Sequence, residues 1–277
     1  MGGPLYVTAF AVATTLGLLV LATLLRRGLA ADLKAGNDAQ RLEAVGEVLG
    51  VFVIAGTTVH EAVQGESVAH DAAMCAAFGA IALVAAMVVG RVGVRLLLGH
   101  LKDELARNNA AAGIAAAGQL LASALVTSRA IAGSDLHGIG LSLTFFVLAQ
   151  ATLLVFVSLF RALTTYDDAE QIHGENVAAS VSYAGVTVAI GIVVARAVEG
   201  DFEGWLTSLK GYGGVLLSLA ALWPVRQLFV QSILLRGPLH LRGGALDVAI
   251  AERRSTGMAA LEAASYLATA LAIAQVA

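Results

Sequence analysis

The chain has 277 residues, of which 58% are apolar and only 13% are charged, and its mean hydropathy is +0.81. A soluble globular protein carries about 25% charged residues, so these values exclude a soluble enzyme, a disordered chain and a nucleic-acid-binding module. The formal net charge of −3 provides no basic field for nucleic acid. The single cysteine, Cys75, allows no intramolecular disulfide.

Eight apolar stretches follow one another along the chain, each near the length of about 20 residues that crosses the hydrocarbon of a bilayer. The first segment, MGGPLYVTAF, contains no basic residue, so we expect no cleaved signal peptide and count the first stretch as a span. The predicted spans cover residues 4–25, 42–62, 72–89, 110–132, 139–160, 177–198, 206–225 and 255–277.

The seventh stretch can be placed in two registers. A span over residues 213–235 would put Arg226 inside the membrane, which is costly, whereas a span over 206–225 leaves only Lys210 near an end. The second register also places two tryptophans at the interfaces, where they are favoured. We therefore predict 206–225, with QLFVQSILL (residues 227–235) as an amphipathic helix on the cytoplasmic surface.

The basic residues are distributed unevenly between the two sides. Of the 17 lysines and arginines, 14 follow the first, third, fifth and seventh spans, and the other side holds only Arg129, Arg196 and Lys210. Because basic residues mark the cytoplasmic side of a membrane protein, we expect these four connections in the cytoplasm and both termini outside.

The chain also contains an internal repeat. Asn109 and Gly133 are 24 residues apart, as are Asn176 and Gly200, and the two units are offset by 67 residues. Arg41 is the residue that pairs with Asn109 in the first unit. Four hairpins would cover residues 1–66, 67–134, 135–201 and 202–277. The predicted fold is therefore all-α: a polytopic membrane bundle of eight helices in four parallel helical hairpins.

The two helices of each predicted hairpin differ in composition. The first is bulky, as in LTFFVLAQATLLVFVSLF, and the second is rich in small residues, as in AAAGIAAAGQLLASALV. Small residues allow helices to approach closely within a membrane. We therefore expect the second helices at the centre and the first helices toward lipid.

The stretch DDAEQIHGENVAASVSYAGVTVAIGIVVARAVEG resembles a bacterial membrane family, domain of unknown function 350, the YjfL-like proteins. The resemblance rests on an acidic lead-in and a Gly-Glu-Asn-x-Ala-Ala motif, here Gly174 to Ala179, with a partial match around Asn109. It implies a tandem duplication of the family unit, a location in the bacterial inner membrane and an association with the cell envelope. It implies no established reaction.

Glu47 and Glu262 lie inside predicted spans, and an ionisable residue there indicates a functional site. Each could donate as a neutral acid to a helix that carries Gln119 or Ser123, or could handle a proton or cation. Asn109 and Asn176 begin small-residue helices, where Asn is typical of an N-cap; they could instead line a conduit. Glu47, Glu262, Gln119, Asn109 and Asn176 are the candidate core residues.

The outer ends of the spans hold a second group of candidates. Arg129 and Arg196 are expected to snorkel and form surface ion pairs, and Glu61 occupies the equivalent position of the first unit. His60, His70 and His137 could ligate a metal or haem, although no paired spacing typical of a metal site is present.

We expect a non-enzymatic inner-membrane protein, either an envelope-maintenance module or a conduit for a small ion or solute, with no cofactor. The sequence leaves open an electron-transfer subunit that carries haem or metal, and a structural scaffold of a membrane complex. The expected partners are the lipid bilayer and either a second copy of the chain or another membrane protein, without nucleic acid.

Overall fold

The structure is a computed structural model that describes residues 3–65, 67–134, 138–200 and 202–277. These residues are all-helical, without a strand, and include eight helices that are long and apolar enough to cross a membrane, as predicted. In chain order the helices are α1 (Pro4–Leu25), α2 (Leu29–Ala35), α3 (Asp38–Ala62), α4 (Val68–Leu97), α5 (Leu101–Ala106), α6 (Ala110–Ala130), α7 (Ile139–Arg161), α8 (Asp168–His173), α9 (Val177–Ala197), α10 (Trp205–Leu234), α11 (residues 245–252) and α12 (Thr256–Val276).

The short helices all lie in connections on one side of the bundle. Helices α2, α5, α8 and α11 follow the long helices α1, α4, α7 and α10, respectively. These four connections and the helix ends beside them contain the 14 clustered basic residues. We call this side the basic end, and the opposite side the far end.

The prediction that residues 227–235 form a surface helix beyond the seventh span is wrong. Instead of ending at Val225, α10 runs to Leu234, with a tight 3-10 turn at Ser218–Ala221 and a π-helical segment at Val225–Leu234. Gln227 and Gln231 are buried, whereas Phe229 and Ile233 are exposed. The segment is therefore amphipathic, but its polar face is turned into the protein. A helix on the membrane surface would turn its polar face to water.

A left-handed residue marks the step from a short helix to the next long helix. It occurs three times, with φ of 62° at Asn108, 61° at Glu175 and 50° at Arg254. The turn lets the next N–H bond back onto the short helix, as in Asn176 N to Gln171 O at 3.0 Å. The backbone cost of this conformation, about 1–2 kcal/mol, is thus offset by hydrogen bonds at a helix end.

The residue after this turn caps the long helix. Asn109 accepts from the N–H of Ala112, and Asn176 accepts from two N–H groups of its helix. In the first connection the N-cap of α3 is Asn37, which also forms a capping box with Gln40. Asn37, and not Arg41, is therefore the structural counterpart of Asn109.

The capping asparagines also connect neighbouring units. The side-chain Nδ2 of Asn37 donates to Leu105 O at 2.7 Å, that of Asn109 to Ile172 O at 2.7 Å, and that of Asn176 to Ile250 O at 2.9 Å. Each bond joins the start of one long helix to the short helix before the next. One amide therefore both caps a helix and fixes its neighbour.

Four small-residue helices form a central row in the order α3, α6, α9, α12. Gly46 lies against Ala117, Gly118 against Ala184, and Gly185 against Ala263; an added Cβ would come within 2.4, 2.5 and 2.3 Å of these neighbours. No hydrophobic effect drives helices together in lipid. The row is stabilised instead by the van der Waals packing that this close approach of the backbones allows.

The bulky helices pack against this row. Helix α4 contacts α3 and α6, α7 contacts α6 and α9, and α10 contacts α9. Helices α6 and α9 are the most buried of the eight and α1 is the most exposed. The small-residue helices therefore form the centre of the bundle and the bulky helices surround them, as their compositions predict.

We predict that Asn176→Asp lowers the free energy of unfolding by about 1–3 kcal/mol, because the carboxylate keeps the cap and loses the donor to Ile250 O. Asn176→Ala loses both the cap and the donor to Ile250 O, so it should lower the free energy of unfolding further. Thermal unfolding in detergent measures both variants. An aspartate variant as stable as the wild type would show that the connection between units contributes nothing.

We predict that Gly185→Leu destabilises the central row by about 1–3 kcal/mol or more, because its side chain would collide with Ala263. The matched control is Gly214→Leu on α10, where an added Cβ has no heavy atom within 4 Å. Thermal unfolding of the two variants is compared. Equal melting temperatures would contradict the close approach of α9 and α12.

Candidate functional site: two buried charge clusters and a polar file

Arg226 is buried in the π-helical part of α10, with only 2% of its surface exposed. Its Nε donates to Glu262 of α12 and its Nη2 donates to Asp247 of α11. Both carboxylates are as buried as the arginine, at 1% and 2% exposure, respectively. Arg226 therefore joins three helices through charge.

Both carboxylates have further hydrogen-bond donors. Ser182 Oγ of α9 donates to Glu262 at 2.5 Å, and the N–H and hydroxyl of Thr165 donate to Asp247 at 2.6 and 2.8 Å. A buried ion pair is tolerated only when its remaining polar positions are also satisfied. These donors, together with the two carboxylates, lower the cost of placing Arg226 within a span.

A second ion pair lies beside this one, at the basic end. Arg161 at the end of α7 donates through Nε to Asp168 of α8 at 2.9 Å, and Asp168 is only 4% exposed. Burial raises the pKa of Asp168 to about 6, with Arg161 opposing the shift and the charge of Glu262 adding to it. Asp168 therefore gains and loses a proton near neutral pH.

The first half of the chain contains a comparable cluster. Arg26 at the end of α1 lies 2.6 Å from Asp32, 2.7 Å from Glu43 and 2.7 Å from Glu47, and Arg91 of α4 lies 3.0 Å from Glu47. Glu43 and Glu47 are both buried. We call these five residues the Arg26 cluster.

A small cavity of about 20 Å³ touches Glu47. A cavity needs roughly 10–15 Å³ to hold one water molecule. Its other walls are mostly apolar, including Ala22, Leu83 and Leu120. The cavity is large enough for one water beside the carboxylate.

The two clusters have the same charge composition. We define the Arg226 cluster as Arg161, Asp168, Arg226, Asp247 and Glu262. Each cluster thus contains two guanidinium groups and three carboxylates. With all groups ionised, each cluster contains one more negative than positive charge.

A buried file of polar side chains begins beside the Arg226 cluster. The guanidinium carbon of Arg161 lies 5.5 Å from the ring centre of Tyr183, and Tyr183 Oη donates to Gln119 Oε1 at 3.1 Å. Gln119 Nε2 is 3.5 Å from Ser123 Oγ. The file thus passes from α9 to the middle of α6.

The file continues along α6 toward the far end. Gln150 of α7 donates through Nε2 to Ser123 O and to Thr127 Oγ1, both at 3.0 Å. From Gln119 to Thr127 the helix rises about 12 Å. All members of this polar file are buried: Tyr183, Gln119, Ser123, Thr127 and Gln150.

Several polar atoms next to these groups have no hydrogen-bond partner within the described part of the chain. They are Arg226 Nη1, Gln150 Oε1, Thr187 Oγ1, Tyr166 Oη, Gln231 Oε1 and both amide atoms of Gln227. Buried polar groups are normally satisfied by protein or by water.

The candidate core residues of the sequence occupy three different environments. Glu47 and Glu262 belong to separate charge clusters and pair with arginines, rather than with Gln119 or Ser123. Gln119 belongs to the polar file. Asn109 and Asn176 are N-caps at the basic end.

Asn109 also bonds to a carboxylate outside the spans. Its Nδ2 donates to the carboxylate of Glu104 in α5. The same carboxylate also accepts hydrogen bonds from Arg107 and His173. Burial disfavours the charge on Glu104, but these donors outweigh it and hold its pKa below the ordinary value. Glu104 therefore remains a carboxylate that fixes the connection between α5 and α8.

The outer candidates lie near one another at the far end. Arg129 Nη1 is 2.8 Å from Glu199 and 3.9 Å from Glu61, and Arg196 Nη1 is 3.7 Å from Glu199. The contact between Arg129 and Glu61 is thus at the limit of an ion pair. All four side chains are about one third exposed, so the pairs contribute little to stability.

The histidines are not gathered into a ligand set. His60 Nδ1 lies 3.2 Å from Glu61, and His70 Nε2 lies 3.3 Å from Ser134 O. His137 lies outside the described residues. Within residues 3–65, 67–134, 138–200 and 202–277, no group of three or more His, Cys, Asp or Glu side chains could hold a metal ion.

Sequence reasoning missed Arg26, Glu43, Arg226, Asp247 and Asp168 as site residues. Arg26 and Arg226 were counted as cytoplasmic charges, because each stands at the end of an apolar stretch. One signal was available in QLFVQSILL. Its two glutamines are four residues apart and therefore share one face of a helix. Because the other residues are mostly apolar and can face lipid, this polar face is expected to turn into the protein.

The family comparison supports two copies of one domain. A family model described as Domain of Unknown Function (DUF350) matches residues 4–131 and again residues 133–277. No curated protein and no solved structure matches the chain.

We predict that Asp168 makes the protein less stable as pH rises from about 4 to above 6. Its pKa is about 6 in the folded protein and 3.8 ordinarily, so the folded state binds more protons within that window. The loss is about 3 kcal/mol, and Asp168→Asn should remove it from the pH profile of thermal unfolding.

Asp103→Asn is the control for this profile, because Asp103 is exposed in the first turn of the short helix α5 and is not among the groups that shift the pKa of Asp168. The control should retain the wild-type pH dependence. If Asp168→Asn retained it too, the assignment of the titration to Asp168 would be wrong.

Proposed function

We propose a function for this chain, which belongs to the Domain of Unknown Function family DUF350 in two tandem copies. The name of the family assigns no activity. The chain is a non-enzymatic proton conduit. It is a multi-pass protein of the bacterial inner membrane that serves the cell envelope. Its eight helices form four parallel hairpins with both termini outside. The placement of 14 of 17 basic residues at one end supports this orientation.

The observation that carries the proposal is the buried polar file. It begins where Arg161 lies over the ring of Tyr183 and continues by side-chain hydrogen bonds through Gln119 to Ser123. Gln150 then joins the backbone carbonyl of Ser123 to Thr127 in the far half of α6. Hydroxyl and amide groups in low dielectric are costly unless connected. A connected series of them offers positions for proton transfer, directly or through water.

The charge clusters supply the protons. Asp168, with a pKa of about 6, exchanges protons with the cytoplasm near neutral pH. The Arg26 cluster is the counterpart of the Arg226 cluster in the first half of the chain.

A structural scaffold is the second candidate. The contact of glycines with alanines along the central row and the asparagine bonds between units support it. A scaffold requires rigid packing and no proton path. If the protein is a scaffold, it should therefore show no proton flux.

Electron transfer and docking through a surface helix have less support. Among the described residues, no group of three or more His, Cys, Asp or Glu side chains could hold a metal ion, so no observation favours a metal-carrying subunit. Docking through residues 227–235 as a surface helix is inconsistent with the burial of Gln227, Val230 and Gln231.

We predict that the protein conducts protons into liposomes under a potassium diffusion potential, measured with a pH-sensitive dye inside. Tyr183→Phe should lower the rate by about tenfold or more, since one hydroxyl of the file is removed. Glu262→Gln should lower it as well. Glu61→Gln at the far end should leave it unchanged.

Tyr212→Phe is the matched control, because it removes a buried hydroxyl that bonds to Thr152 outside the file. Size-exclusion profiles establish that all variants fold. The proposal fails if the wild type is no faster than empty liposomes, or if both tyrosine variants slow the flux equally. The first outcome favours the scaffold.

A further inference from the structure

A groove of about 560 Å³ opens at the far end of the central row. All four row helices contribute to it, so the row curves around it. Phe52 and Gly56 belong to α3, Leu125 to α6, Ile192 to α9 and Leu271 to α12. The groove is separate from the charge clusters and from the polar file.

The floor of the groove is apolar and accessible. Phe52 and Leu271 are each 53% exposed, and an added Cβ at Gly56 has no heavy atom within 4 Å. The α3 stretch from Phe52 to His60 rises about 12 Å along the groove. This length accommodates a large part of an acyl chain within one leaflet, which is about 15 Å deep.

The rim of the groove is polar and carries two arginines. Arg129 and Arg196, in the last turns of α6 and α9, share Glu199 through their Nη1 atoms at 2.8 and 3.7 Å. Among the described lining residues, two guanidinium groups therefore face one carboxylate. Each guanidinium has five N–H donors in a planar fork, which suits a phosphate group.

We propose that this groove binds one phospholipid, with its phosphate at Arg129 and Arg196 and one acyl chain along Phe52, Leu125 and Leu271. The guanidinium N–H donors at the rim complement the phosphate oxygens of a phospholipid headgroup. The apolar floor lies on the membrane side of the rim, as the geometry of a lipid requires. The site would hold α3 and α12, the two ends of the row, around a common ligand.

The test is native mass spectrometry of the purified full-length protein with dioleoylphosphatidylglycerol, dioleoylglycerol or inorganic phosphate. We expect one phosphatidylglycerol per protein, with dioleoylglycerol about tenfold weaker because it lacks the phosphate. Arg129→Gln together with Arg196→Gln should weaken phosphatidylglycerol by about tenfold or more. Lys210→Gln is the charge control.

Gly56→Phe tests the groove itself, since the ring would occupy the floor without colliding with the backbone. Gly17→Phe is the matched control, because Gly17 is exposed on α1 with equally open space and does not line the groove. We expect Gly56→Phe to abolish the bound lipid and Gly17→Phe to retain it. Both variants should remain folded in size exclusion.

Four results would overturn the proposal. They are equal lipid binding by the two glycine variants, diacylglycerol binding as tight as that of phosphatidylglycerol, inorganic phosphate bound in place of lipid, and a lipid-free dimer that Gly56→Phe dissociates. The last would identify a second copy of the chain as the occupant of the groove.

Discussion

The compensation of buried charge determines much of this structure. Arg226 can enter the interior only because Glu262 and Asp247 meet it there, with Ser182 and Thr165 completing the set. This requirement draws α10, α11 and α12 together and fixes the π-helical register that points Arg226 inward. Arg26 imposes the same requirement on α1, α2 and α3. Both sites lie toward the basic end of the bundle.

The central row brings this chemistry to the axis of the bundle. Glycines opposite alanines let α6 and α9 approach closely, so Tyr183 of one helix reaches Gln119 of the other. The asparagine bonds at the basic end hold consecutive helices in register. Close packing and a polar interior are therefore compatible here, because the small residues and the hydroxyl groups occupy different faces of the same helices.

Hydropathy alone predicted the eight spans, and the contrast between small and bulky residues predicted which helices are central. Both depend on local composition, which a sequence displays directly. The charge clusters were not predicted, because the residues that compensate Arg226 are 21 and 36 positions away. Without its partners, Arg226 looks too costly for a membrane, and the span was ended before it. Likewise, Glu47 and Glu262 were found by their position, but the arginines that they pair with depend on helix packing.

The central claim is that protons pass through the polar file. It is tested most directly by voltage clamp of the purified protein in a planar bilayer, with a pH difference and equal salt on the two sides. The account predicts a reversal potential that moves by about 59 mV for each pH unit, the value for one charge per tenfold gradient. The potential should not respond to sodium or potassium gradients. A reversal potential that stays at zero under the pH gradient, or that follows a metal cation, would contradict it.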